Sequence, residues 1–345
     1  MSLADLVAAL MVLGLAAYAV LAGADFGAGV WDRLGARGAR GRRVRSLVES
    51  AMGPVWEANH VWLIFVLVVF WTAFPVAFGS VASTLYIPLF LAAVGIIFRG
   101  ATFATRGAVG TVRASPLIGA LFVLSSILTP FFLAAAVGGI ASGRVPVGNA
   151  SGDAITSWWN PTSVLVGCLA VATGAYLAAV YLAADARRLG EEDLAEAFRV
   201  RALAAGVVTG AVALGGIAVL REDARPLYDD LLTGGGLGLV IVSAAAGVAT
   251  LALVWWRRYG LARASAALAV AAVIGGWAVA QSPELLPGAI TIEDAAAPHA
   301  TLVAVVVSLI FGALVLVPSL ALLFRLVLRG RLDKELPPLG EGPRP

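Results

Sequence analysis

LADLVAALMVLGLAAYAVLAGADFGAGV, residues 3–30, is an apolar run that carries an acid, Asp25, near its end. A helix of about 20 such residues spans a hydrocarbon core of roughly 30 Å. The period-two alternation that a membrane barrel strand requires is absent. Outward from this run the same pattern recurs at 54–79, 83–105, 116–141, 161–185, 203–221, 234–256, 262–281 and 301–328. With the first helix taken as 4–30, the chain reads as an all-α integral membrane protein of about nine transmembrane helices. Composition agrees, with 60% of the 345 residues hydrophobic and 13% charged; a soluble domain carries roughly 25% charged residues.

The start, Met-Ser-Leu-Ala-Asp, lacks the basic n-region of a signal peptide, so the first run is expected to stay in the protein as a helix. Cys168 is the sole cysteine, which excludes an intrachain disulfide, a thiolate metal site and covalent c-type heme. The net charge of +3 points to no nucleic-acid partner; its distribution has another cause. Arg33, Arg37, Arg40, Arg42, Arg43 and Arg45 follow the first helix, and arginine in short loops stays cytoplasmic. That puts the N-terminus outside and, after nine spans, the C-terminus inside. Nearly all other cations then fall inside as well, leaving Arg144, Arg221 and Arg225 outside and Arg99 within the membrane.

Residues 1–336 are read as one transmembrane domain and the Pro/Gly-rich stretch 337–345 as a disordered cytoplasmic tail. The stretch 187–201 is expected to extend the fifth or sixth helix. The outer segments 142–160 and 282–300 read as irregular, with Trp158–Trp159 as an interfacial anchor. Pro75, Pro130 and Pro318 are expected to bend their helices. Gly23–Gly27 and Gly206–Gly210 have the spacing that lets helix backbones approach closely.

Ionisable groups inside the membrane are few: Asp25, Glu57, His60 and Arg99. All lie toward the cytoplasmic ends of the first three helices, so three helices bring polar groups to one depth. An unpaired charge there costs roughly 2.5–3.5 kcal/mol, which favours pairing or shared water. Two readings follow: a proton or ion pathway, or an arginine that neutralises one acid and locks the packing. His60 shares a helix face with Trp56, while Asn59 and Trp62 occupy a neighbouring one. The second histidine, His299, belongs to the opposite membrane face, so the two cannot hold one iron. A single axial ligand at His60 stays open, but Met1, Met11 and Met52 offer no partner position, so His60 reads first as a hydrogen-bonding or relay group, and Trp62 as a packing or interfacial aromatic.

GADFGAG at 23–29, GPVWEANHVWLI at 53–64 and FRG at 98–100 together resemble subunit II of cytochrome bd-type quinol oxidases; ITIEDAAAPHATL at 290–302 supports the likeness. The resemblance covers nearly the whole chain and is strongest over 20–106. It implies one peripheral helix plus two four-helix bundles in a prokaryotic cell membrane. It also implies a complex that oxidises membrane quinol, reduces dioxygen to water and takes its protons from the cytoplasm. Two b-type hemes and heme d are expected in subunit I, the heterodimer partner, with no cofactor or metal held by this chain. A small accessory subunit is compatible with that assembly. By residue, the resemblance implies proton uptake at Asp25 and Glu57, aided by His60, with Arg99 as charge partner. It gives Trp62 a place on an oxygen route or in core packing. Ala22 and Ala104 stand where some members carry acids, so the route must use fewer of them, with Thr102, Thr105 or water taking their place.

Two other classes stay open. A secondary transporter would carry polar broken helices at the membrane midplane. A structural partner would stabilise a heme subunit and conduct nothing.

Overall fold

The computed structural model describes residues 2–34, 38–52, 56–108 and 116–329. The 337–345 tail and the 53–55 opening of the second motif lie outside the described residues, as do Arg37, Arg113, Arg331, Lys334 and Arg344. The helices are α1 (Leu3–Leu34), α2 (Gly38–Met52), α3 (Trp56–Ala73), α4 (Pro75–Thr84), α5 (Tyr86–Ala108), α6 (Pro116–Ala141) and α7 (Pro161–Arg188). After these come α8 (Glu192–Asp223), α9 (Arg225–Leu232), α10 (Leu237–Trp255), α11 (Tyr259–Gln281), α12 (Ile292–Ala295) and α13 (His299–Leu328). Among the described residues eight helices are long and apolar enough to cross a membrane, and the bent pair α4–α5 brings the number to nine.

Helices α1, α3, α5 and α6 pack into one bundle and α7, α8, α10 and α11 into a second, with α13 lying against α1 and α3. The bundles meet where α7 packs against α1 and α6. Glycine makes the α1–α7 crossing possible. A Cβ at Gly27 would overlap the Gly174 carbonyl, and one at Gly174 would stand 2.9 Å from the Gly23 oxygen. In lipid, neighbouring helices gain nothing from leaving water, so close packing of this kind holds them together. The Trp31 indole adds a hydrogen bond of 2.8 Å to the Ala175 carbonyl. Of the second small-residue pair, Gly206 packs under Leu251 and Tyr176, but Gly210 faces open space.

Several boundaries differ from the sequence reading. The second span ends at Ala73, six residues short of 79, because Pro75 has no N–H to continue the ladder and starts a new helix instead. That helix, α4, lies at 83° to α5. Pro130 and Pro318, by contrast, sit inside continuous helices. The basic loop after α1 contains α2, an amphipathic helix. Its Val44, Leu47, Val48 and Met52 recur at helical spacing and are buried against the second bundle. The stretch 187–201 is shared: α7 runs to Arg188, Gly190 takes φ +77°, and the rest forms the start of α8. In the segment read as irregular, Glu284–Leu286 (β1) pairs antiparallel with Ile290–Thr291 (β2). Trp158 is buried against Phe132, with its indole donating to the Ala154 carbonyl at 2.9 Å, so Trp159 alone is exposed as an anchor would be.

Contacts sort the connections into two faces. On one, Arg43 of α2 pairs with Glu191 and, at 2.8 Å, with Asp193, joining the first basic segment to the α7–α8 turn. These hydrogen bonds, Asp193 foremost, hold the Arg43 guanidinium above its ordinary pKa. On the other, Arg144 forks onto Asp223 at 2.7 and 3.1 Å, and Asp223 also accepts from the Thr162 backbone and hydroxyl. The Ala297 amide there donates to the Ala73 carbonyl at 2.7 Å.

Candidate functional site

The site forms where α1, α5 and α6 meet, within the first bundle. Asp25 comes from the last third of α1 and Arg99 from α5, and both side chains are almost wholly buried, at 0% and 1% exposure. Arg99 Nη2 donates to Asp25 Oδ1 at 2.9 Å and to the Asp25 carbonyl at 2.7 Å, while Nε reaches Oδ2 at 3.3 Å. Nη1 donates to the Ser126 hydroxyl of α6 at 2.5 Å. The rings of Phe26 and Phe122 lie 4.8 and 4.7 Å from the guanidinium carbon. One planar cation thus ties three helices through a fork that an ammonium could not reproduce.

The glycines of GADFGAG make room for this. A Cβ at Gly29 would overlap the Ser126 hydroxyl and stand 3.2 Å from Arg99 Nη1. Gly23 and Gly27 serve the α7 crossing, so one short motif both joins the bundles and opens the arginine's pocket. On α5, Thr102 donates to the Arg99 carbonyl at 2.8 Å. The side chains of Ala104, Thr105 and Arg106 lie outside the described residues.

His60 also packs against Phe26, ring centroids 5.8 Å apart, so one phenyl ring neighbours both the guanidinium and the imidazole. Tyr18 and Trp56 meet the imidazole edge-on at 6.2 and 6.0 Å. His60 Nδ1 lies 2.8 Å from the Trp56 carbonyl. A carbonyl only accepts, so Nδ1 donates to it. Nε2, the Tyr18 hydroxyl and the Trp62 indole N–H are buried without a hydrogen-bond partner among the described residues. Trp62 packs with Tyr18, Ala22 and Phe26. Asn59 is buried and reaches the Leu21 carbonyl at 3.4 Å.

Glu57 stands apart. It lies in the first turn of α3, exposed, and forms no ion pair or hydrogen bond among the described residues. The structure therefore joins Asp25 to Arg99 directly, His60 to them through Phe26, and leaves Glu57 at the rim. Ser126, Phe26, Phe122 and Tyr18 belong to the site but were not singled out in the sequence. The Ser125–Ser126 pair, polar in the apolar run LFVLSSILTP, was the available signal. Asp32 is a further buried acid, two turns beyond Asp25 on the same helix face. Among the described residues no group of three His, Cys, Asp or Glu could hold a metal ion.

The family model described as Cytochrome bd terminal oxidase subunit II matches residues 3–327. Cytochrome bd ubiquinol oxidase subunit 2 of Bacillus subtilis (strain 168) is 30% identical over 132 residues, 38% of this chain and 38% of that protein. Cytochrome bd-I ubiquinol oxidase subunit 2 of Escherichia coli (strain K12) is 26% identical over 129 residues, 37% of this chain and 33% of that one. Each alignment thus spans a little over a third of the curated relative at most. A chain in the structure of bd oxidase from Geobacillus thermodenitrificans aligns with a TM-score of 0.74 and 26% identity, covering 94% of this chain and 98% of that chain.

Proposed function

The chain belongs to the cytochrome bd terminal oxidase subunit II family, and from that premise we propose that it is the heme-free core subunit of a complex that oxidises membrane quinol and reduces dioxygen to water. Its partner is a subunit I protein, which holds two b-type hemes and heme d; these supply the electron transfer and oxygen chemistry when bound. Toward a heme of its own this bundle offers one histidine, His60, and the rings of Tyr18, Phe26 and Trp56 pack around its imidazole within 6.2 Å, in the space a macrocycle would need.

The work of this subunit is to admit protons from the arginine-rich, cytoplasmic face. The observation that carries this reading is the buried Asp25–Arg99 pair at that end of the first bundle, with an exposed acid at the rim. Glu57 collects protons from water, and His60 and Asp25 pass them further in, Asp25 when Arg99 releases its carboxylate. His60 Nε2 and the Tyr18 hydroxyl, both buried without a hydrogen-bond partner among the described residues, are group types that exchange protons. Arg99 keeps Asp25 from standing as an uncompensated charge. Trp62 packs the apolar wall beside them.

A transporter reading is less favoured, since it calls for polar broken helices at the midplane. The break here, at Phe74 between α3 and α4, lies at the end of α3 opposite Glu57. The structural-partner reading has one observation in its favour, the three-helix tie at Arg99. Purification with subunit I, followed by optical spectra and turnover of Asp25→Asn and Glu57→Gln, separates the two. Lost turnover with heme retained supports proton uptake. Heme lost together with turnover supports assembly alone.

A further inference from the structure

A second site stands on the arginine-rich face, in the other bundle. The end of α7 and the α10–α11 turn border a shallow, open recess of about 470 Å³ lined by Arg187, Arg188, Arg257, Arg258, Tyr259 and Arg263, together with Leu261. We propose that this recess binds the phosphate headgroup of an acidic phospholipid.

Among the described residues five guanidiniums line it and three acids pair with them. Arg188 and Arg263 share Asp185, at 3.6 and 2.6 Å. Arg257 shares Glu196 with Arg199, and Arg187 pairs with Glu192. Arg258 makes no ion pair among the described residues. The Arg187 and Arg257 pairs are half exposed or more on both sides or nearly so, the class of ion pair that is worth little and exchanges readily for a phosphate.

The positive-inside rule explains arginines on this face, but it does not explain the backbone at residue 257. Arg257 takes φ +59°, the left-handed position after a helix end that glycine ordinarily fills. A guanidinium is kept there against the backbone's preference.

The surroundings select a lipid over free phosphate. Trp255 and Trp256, 65% and 68% exposed at the end of α10, are placed as headgroup-level anchors. From Leu261 in the recess, an exposed apolar stripe continues along α11 through Ala264 to Leu268. An anion held by the arginines would lie at the head of that stripe, with its acyl chains along it. Arginines placed this way attract acidic headgroups at the membrane surface.

The test is native mass spectrometry of the purified two-subunit complex with dioleoyl phosphatidylglycerol or dioleoyl phosphatidylcholine, a readout independent of turnover. Phosphatidylglycerol should bind more tightly than phosphatidylcholine. Arg257→Gly and Arg258→Gln should each weaken it roughly fivefold, the factor one cation near an anionic headgroup is worth, and the double variant about 20-fold. Arg257→Gly also relieves the left-handed backbone, so a misfolded turn cannot account for its loss of binding. Arg225→Gln, on the opposite face, should change nothing. Unchanged binding in the double variant overturns the proposal, as do equal binding of the zwitterionic lipid and an equal loss in Arg225→Gln. Displacement of the lipid by inorganic phosphate at matched concentration would make this an anion site with no lipid specificity, and also overturns it.

Discussion

The Asp25–Arg99 pair can be taken apart by a double-mutant cycle of Asp25→Asn, Arg99→Gln and the two combined. Both side chains are almost wholly buried, so neither charge has water to fall back on. Asn at 25 removes the carboxylate and leaves Arg99 with the residue-25 carbonyl, the Ser126 hydroxyl and two phenyl rings. Gln at 99 strands the carboxylate, which loses both guanidinium contacts. Leaving one member of a buried pair without its partner costs about 3–5 kcal/mol, whereas removing both charges is often close to neutral. Each single change should therefore destabilise more than the double. At about 2.1 cal/mol/K per residue, a chain of 345 residues shifts by about 1.4 °C per kcal/mol, so each single should lower the unfolding temperature of this subunit in the purified complex by on the order of 5 °C, and the double by less than half of that. Tryptophan fluorescence during a thermal ramp reads this out. Additive losses, with the double falling by the sum of the singles, would refute the pairing argument. Turnover then separates the roles. If Asp25 carries protons, the double mutant regains stability but not quinol-oxidase activity. If it regains both, Asp25 is a packing element and uptake runs elsewhere.

Glu57→Gln should leave stability within about 0.5 kcal/mol, since the side chain is exposed and unpartnered among the described residues, while turnover falls steeply; full turnover would remove Glu57 from the route. Gly27→Val should force α1 away from the Gly174 carbonyl and destabilise by about 1–3 kcal/mol, whereas Gly210→Ala should be silent in the same thermal assay. In a Cys168→Ala background, Ser151→Cys and Glu293→Cys should react with an impermeant thiol reagent added outside and Arg42→Cys should not; the reverse pattern would invert the orientation. The backbone N–H groups of Thr156 and Ile155 hold the Asp153 carboxyl below its usual range. The turn it anchors should thus be fully supported above about pH 4, and lose that support as pH falls through the lowered folded value. Amide exchange at Ile155 and Thr156 should show protection surviving to pH values at which an unperturbed aspartate is already protonated, and Asp153→Asn should abolish that dependence.

The spans were legible because hydropathy reports on lipid directly, while the features that were not legible depend on partners distant in the chain. The α3 break illustrates the limit. Pro75 announced a disturbance, but whether a proline bends, ends or merely occupies a helix depends on what its neighbours supply. Pro130 and Pro318 are tolerated inside α6 and α13, whereas at Pro75 the chain turns and the Ala297 amide donates to the Ala73 carbonyl. Helix α2 was hidden for a different reason. Its arginines fixed attention on charge, while Val44, Leu47, Val48 and Met52 already had the period of a helix with one apolar face. Trp158 was misplaced because adjacent tryptophans fit an interfacial anchor equally well, and only the position of Phe132 makes one of them core.

The site shows the same division. Rarity alone located Asp25 and Arg99, since a charge inside the membrane needs a reason to be there. It could not say which acid the arginine would choose. Glu57 and Asp25 were equivalent candidates by depth, and the difference lies in α6. Ser126 and Phe122 supply the rest of the guanidinium's cage on the Asp25 side, and Gly29 leaves space for it. With Arg99 held in that cage, Glu57 has no cation beside it among the described residues and stays exposed at the rim. A buried acid held by arginine and an open acid facing water are two environments for one kind of group. The open acid has access to water. The caged acid has both carboxylate oxygens engaged, and nothing else can bind them until Arg99 loosens its hold. Arg99→Lys therefore discriminates more sharply than any neutral substitution: it keeps the charge and loses the fork. If uptake requires the carboxylate to be released, turnover in Arg99→Lys should persist or rise while the unfolding temperature falls; if the fork itself is the requirement, both should fall together.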